Sequence, residues 1–177
     1  MKLLILDLDE TLIYATEKPL ERRADFQTEL YYVYKRPHVT EFLEFCREHF
    51  SVAVWTTAGA AFAEEVVEKV FPSGYPLEFL WSRERCTKVY DADELEHYLV
   101  KDLAKLKRKG YRLESTLIVD DTPRKLERHY GNLIGVTEWL GDANDSELLI
   151  LTEYLLELKE VSNVRNVEKR GWQRRFT

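Results

Sequence analysis

Three short apolar runs, each closing on oxygen-bearing side chains, constrain this chain more than anything else in it. Residues 2–6 lead into Asp7-Leu8-Asp9-Glu10-Thr11, residues 51–55 into Thr56-Thr57, and residues 115–119 into Asp120-Asp121. A run that is apolar at successive positions has no face to offer to water, so it belongs in a strand covered on both sides. Further strands are expected at 31–35, 77–81 and 132–136. Helices are expected at 38–49, opening at Pro37, at about 60–70, at about 93–108 and at 146–160, where Leu148, Leu151, Leu155 and Leu158 share one face. Strands alternating with helices predict an α/β fold, a Rossmann-like three-layer sandwich around a mostly parallel sheet. Such sheets bind ligands beyond the carboxyl ends of their strands, where all three polar clusters point.

The chain has 177 residues, 45% of them apolar, enough for one core, so residues 1–177 are expected to form a single domain. A formal charge of −6 argues against nucleic acid or an anionic membrane as partner, since both ask for a surplus of Lys and Arg. Two cysteines, Cys46 and Cys86, suit a reducing compartment, and Cys46 shares a helix face with Val39, Phe42, Leu43 and Phe50. Acidic residues from position 7 make the N-terminus a poor signal peptide, and no apolar run approaches the roughly 18 residues of a membrane span. The expectation is a soluble intracellular monomer of cytoplasm or nucleus. Residues 14–30 have no clear period and read as an insertion, either a flap over the site or an ordinary surface loop. The basic, aromatic stretch at about 165–177 reads as a tail, solvated or touching an acidic partner.

Four carboxylates at two neighbouring strand ends repel one another unless a cation sits among them. Oxygen ligands without a histidine cluster suit magnesium, and the competing explanation for Asp120-Asp121 is a helix cap before Pro123. Phosphoryl transfer further needs a fixed positive charge and neutral donors. Thr56 can supply a hydroxyl and a backbone N–H, and Lys101, in Val100-Lys101-Asp102-Leu103, the charge.

DLDETL at 7–12, VWTTA at 54–58, YLVKDL at 98–103 and IVDDTP at 118–123 resemble the four motifs of the haloacid-dehalogenase superfamily. KRPHVTEFL at 35–43 and SRERC at 82–86 narrow the resemblance to the branch related to RNA polymerase II C-terminal-domain phosphatases, over roughly Leu3 to Val161. It implies a HAD-like fold without a large cap and with a small insertion after the first strand. It also implies a magnesium-dependent phosphatase working through a phospho-aspartate, most simply on phosphoserine or phosphothreonine in a protein or peptide. By this resemblance Asp7 is the nucleophile, Asp9 the general acid and a metal ligand through its carbonyl, and Thr11 the residue that holds Asp9. Thr56, with Thr57, binds phosphate; Lys101 lies over nucleophile and phosphate; Asp121 binds the metal; and Asp120 fixes Lys101 or a metal-bound water. Arg83 matches an arginine that reaches the substrate phosphate, with Arg85 as its competitor.

Two departures stand out. The small members carry Asn where this chain has Asp121, and residues 14–30 do not reproduce their apolar proline pocket. Beside the protein-phosphatase reading, two alternatives stay open. One is a HAD phosphatase for a small metabolite or a nucleotide or polynucleotide end; the other is a non-catalytic partner-binding module.

Overall fold

A computed structural model describes residues 1–176. In chain order the elements are β1 (Leu3–Leu6), β2 (Ile13–Thr16), β3 (Phe26–Gln27), β4 (Tyr32–Lys35), α1 (Val39–His49), β5 (Ser51–Trp55), α2 (Ala60–Val70), β6 (Leu77–Trp81), β7 (Thr87–Asp91), β8 (Glu96–Val100), α3 (Ala104–Lys107), β9 (Thr116–Asp120), β10 (Leu133–Gly135) and α4 (Glu147–Glu160).

Five strands form the central sheet in the order β10-β9-β1-β5-β6, every neighbouring pair parallel. The two-residue period of a strand divides its apolar residues between two cores. Leu4, Leu6, Val52, Val54, Leu117 and Val119 face one core, covered by α1, α2 and α4. Leu3, Ile5, Ala53, Trp55 and Ile118 face the other, with Trp81, Leu103, Leu106 and Leu126. Both faces are closed, as the apolar runs require, and the three-layer α/β class is the one expected. Leu6, Val54 and Val119 are in register, so the polar residues that follow them leave the sheet along one edge. Cys46 is buried on α1 beside Val39, Phe42 and Leu43.

Three expectations need correction. The stretch expected as a helix over about 93–108 is instead the turn and second strand of the antiparallel β7–β8 hairpin, followed by the single turn α3. Leu95, Tyr98, Leu99, Leu103 and Leu106 have helix-like spacing, but Leu95 sits in the left-handed region at φ 55° and turns the chain. The strand at 31–35 forms as β4, yet outside the central sheet, in an antiparallel β2-β4-β3 layer made with the insertion. That layer is docked: the Tyr34 hydroxyl accepts from the Leu20 amide at 2.8 Å and donates to the Arg22 carbonyl at 3.3 Å. Leu20 also packs against Gly141 (φ 103°), where a Cβ would come 2.5 Å from Leu20 Cδ1. Phe26 and Tyr31 pack against the core.

The C-terminal segment is not a frayed tail. Trp172 is buried and stacks on Tyr154 with ring centroids 5.1 Å apart, and its Nε1 donates to the Gly135 carbonyl at 2.8 Å. Its basic composition disguised one large apolar anchor. No helix among the described residues is long and apolar enough to cross a membrane.

Candidate active site

The backbone carries the strand ends into a shared edge before any side chain acts. The Asp7 amide donates to the Val119 carbonyl at 3.0 Å, and the Thr56 amide to the Trp81 carbonyl at 2.9 Å. Glu10 follows in the left-handed region (φ 57°). That turn is held by its amide on the Ile13 carbonyl at 2.7 Å and its own carbonyl accepting from Trp139 at 2.8 Å. A non-glycine residue fixed in this conformation turns the chain sharply just after Asp9.

Asp7 is 1% exposed and lies between two ammonium groups, Lys101 Nζ at 2.9 Å from Oδ1 and Lys125 Nζ at 2.8 Å from Oδ2. Lys101 also reaches Asp120 Oδ2 at 2.5 Å. The second oxygen of Asp120 accepts from the Thr122 amide at 2.9 Å. Asp121 accepts from the Thr122 hydroxyl at 2.8 Å and from the Thr11 hydroxyl at 3.2 Å. Thr11 thus orients Asp121, and not Asp9 as the resemblance implied. Burial drives the Asp7 carboxyl upward, but Lys101 and Lys125 outweigh it and hold the group below the usual carboxylate range. Burial and the charge of Asp7 push Asp9 and Asp120 each up to about 6. Burial, then Asp9 and Asp121, push Glu10 up to about 7.

Asp7, Asp120 and Asp121 each offer a carboxylate oxygen, and these atoms lie within 4.8 Å of one another. Asp7 Oδ1 is buried and has no aligned hydrogen-bond donor, although Lys101 approaches it as a point charge. Three hard oxygen donors, one of them unclaimed, fit magnesium or a similar cation. The Asp9 carboxylate lies outside this trio.

Thr56, Thr57 and Arg83 are tied together through the turn after β5. The Thr56 hydroxyl is buried and accepts from the Ala58 amide at 3.0 Å, shaping the turn into α2. Arg83 donates from Nε to the Thr57 carbonyl at 3.0 Å, while its amide binds the Ala58 carbonyl at 2.8 Å. Arg85 turns away to lie 5.5 Å over the Trp81 ring, so Arg83 is the arginine that faces the site. Thr57, Arg83, Tyr98, Leu99, Thr122, Arg124 and Lys125 line a cleft of about 440 Å³. A larger cleft of about 830 Å³ lies under the C-terminal segment, bordered by Arg165, Lys169 and Arg170, and none of the four aspartates lines it.

Lys125 is the functional candidate the sequence did not reveal. Burial opposes its charge, but Asp7, Asp120 and Asp121 more than compensate and raise its pKa. Its only local signal is a position four residues after Asp121, the spacing of countless surface ion pairs.

The sequence profile of the NLI interacting factor-like phosphatases matches residues 2–165. A probable C-terminal domain small phosphatase of Dictyostelium discoideum is 35% identical over 175 residues, spanning 94% of this chain and 54% of the relative. The carboxy-terminal domain RNA polymerase II polypeptide A small phosphatase 2 of Homo sapiens is 34% identical over 168 residues, spanning 90% of this chain and 58% of the relative. CTD nuclear envelope phosphatase 1 of Xenopus tropicalis is 31% identical, with 96% of this chain and 72% of the relative covered. The chain therefore spans little more than half of the Dictyostelium and human relatives. The fission yeast RNA polymerase II CTD phosphatase Fcp1, solved with beryllium fluoride, superposes with a TM-score of 0.58 at 21% identity, covering 93% of this chain and 52% of that one. At that identity the likeness is one of fold.

Proposed function

Since the chain belongs to the NLI interacting factor-like phosphatase family, we propose that it hydrolyses phosphomonoesters with Asp7 as nucleophile, forming and then breaking a phospho-aspartate. The observation that carries this is the seating of Asp7. It is a buried carboxylate at a strand end, clamped between two lysines, beside a cleft edged by Thr57, Arg83 and Lys125. The clamp keeps the carboxylate ionised and aimed, which a nucleophile needs.

Attack by a carboxylate oxygen of Asp7 on phosphorus breaks the ester bond, and the leaving oxygen takes a proton from Asp9. Water then attacks the phosphoryl group, giving its proton to Asp9, and Asp7 is released with inorganic phosphate. Lys101 shields Asp7 from Asp120 and offsets the charge gathering on the phosphoryl oxygens, while Thr56, Thr57 and Arg83 hold those oxygens. Magnesium, held by Asp7 and Asp121 with Asp120 and the Asp9 main chain in support, would supply further charge neutralisation.

The substrate is proposed to be phosphoserine or phosphothreonine in a protein, as the human relative's name indicates for that enzyme. In keeping with this, the insertion contributes no residue to the lining of the cleft. The same proposal places the enzyme inside the cell as a monomer, consistent with the unpaired Cys46 and Cys86. Hydrolysis of para-nitrophenyl phosphate, with and without magnesium, tests the chemistry. Asp7→Asn is expected to lower kcat by at least about 10³-fold and Asp9→Asn by about 10²- to 10⁴-fold, each with the fold intact by circular dichroism. Turnover persisting in Asp7→Asn would remove the nucleophile assignment.

A further inference from the structure

Beyond steadying Asp7 before the reaction, Lys125 has no assigned part in the steps above, yet it is the cation placed among all three clustered carboxylates. Its ammonium is 2.8 Å from Asp7 Oδ2, 3.4 Å from Asp120 Oδ1 and 3.6 Å from Asp121 Oδ1. Those are the residues whose oxygens would hold the divalent ion. A divalent ion about 2.0–2.1 Å from oxygens of these three carboxylates and an ammonium already bonded to Asp7 Oδ2 and close to Asp120 Oδ1 and Asp121 Oδ1 crowd one another and repel.

The two lysines differ in their freedom to yield. Lys101 is fully enclosed and pinned between Asp7 and Asp120. Lys125 keeps 15% of its side chain exposed and borders the cleft with Thr57 and Arg83. Its backbone is anchored, the amide on the Thr122 carbonyl at 3.0 Å and the carbonyl accepting from the Lys101 amide at 2.7 Å. The flexible four-carbon stem can therefore swing while the main chain stays.

We propose that Lys125 is a tethered cation that competes with the divalent ion for the oxygens of Asp7, Asp120 and Asp121, and that on displacement it turns into the cleft beside Arg83 to meet the anionic substrate. Metal entry and completion of the anion seat then become one event. The inference deepens the proposed metal-assisted reading and rests on it. Competition lowers apparent metal affinity by the fraction of time the ammonium is elsewhere, so a lysine seated nine-tenths of the time weakens binding about tenfold.

Calorimetric titration of the full chain with magnesium chloride alone, without substrate, provides the test. Lys125→Met is expected to bind about tenfold more tightly than wild type, and Lys125→Arg, which keeps the charge, no more tightly than wild type. A merely structural role for Lys125 would loosen metal binding in Lys125→Met. Binding seen only in Lys125→Met would support the proposal in its strongest form. Equal or weaker binding in that variant would overturn it while leaving the metal assignment standing, and no binding by either protein would overturn both. Should Lys125→Met fail to fold, NMR of wild type carrying ¹³Cε-labelled lysine gives the same answer, with Lys125 assigned from Lys125→Arg. Its resonance shifts when magnesium displaces the ammonium, and a resonance that stays put would sink the proposal.

Discussion

Arg36 shows how far the site's geometry depends on a residue outside it. Its guanidinium is fully enclosed, forked onto Asp145 at 2.8 and 2.9 Å, reaching Glu147 at 2.8 Å, and donating from Nη1 to the Thr11 carbonyl at 3.1 Å. Together these bonds tie the loop after Asp7 to the start of α4. Removing the cation leaves two carboxylates facing each other away from most water. Arg36→Met should therefore cost about 2–4 kcal/mol in urea unfolding, the lower part of the range for buried pairs because water reaches Asp145. Arg36→Lys should recover less than half of this, since an ammonium cannot reproduce the fork. A loss within about 0.5 kcal/mol, the usual span for surface substitutions, would mean that the cluster adds nothing. At this scale the sequence was informative where chemistry coincides with strand ends. Asp7, Asp120 and Asp121 follow apolar runs that burial forces into adjacent strands. Lys125 was hidden because its main partner, Asp7, lies 118 residues away and only the fold unites them. The Thr11 bond to Asp121 spans 110 residues and was hidden for the same reason.

Helices with one broad apolar face were legible as elements: those expected at 38–49, at about 60–70 and at 146–160 appear as α1, α2 and α4. The β7–β8 hairpin was not. Only β7 alternates between half-buried and exposed residues, over five positions; β8 does not alternate, and the three-and-four spacing continues through Leu103 and Leu106. The hairpin is fastened to the active-site loop by Arg124, which pairs with Asp91 and stacks 3.9 Å over Tyr98. The C-terminal segment misled for a different reason: its charges dominate its composition, while its one tryptophan, Trp172, is buried and stacks on Tyr154. Trp172→Ala should destabilise the protein by about 3–5 kcal/mol, as deleting a buried aromatic does. Guanidinium unfolding measures it, and an unchanged midpoint would show that the segment is only loosely laid on α4.

The molecule as a whole is proposed to be one cooperative domain. The two cores share the same strands, so neither can melt without exposing the other. Tryptophan fluorescence samples both, through Trp55 and Trp81 on one side and Trp172 on the other. Its denaturation midpoint should coincide with that of far-ultraviolet circular dichroism, whereas separated midpoints would divide the chain into independent units. The strand order leaves β10 at the rim of the sheet. Rim strands carry open carbonyls and amides that invite an extended segment of another molecule to add itself. Here Trp172 Nε1 and Gln173 Nε2 both occupy the Gly135 carbonyl, at 2.8 and 3.2 Å. The contact that seats the C-terminal segment is in this respect also a guard, keeping one copy of the sheet from being continued by the next.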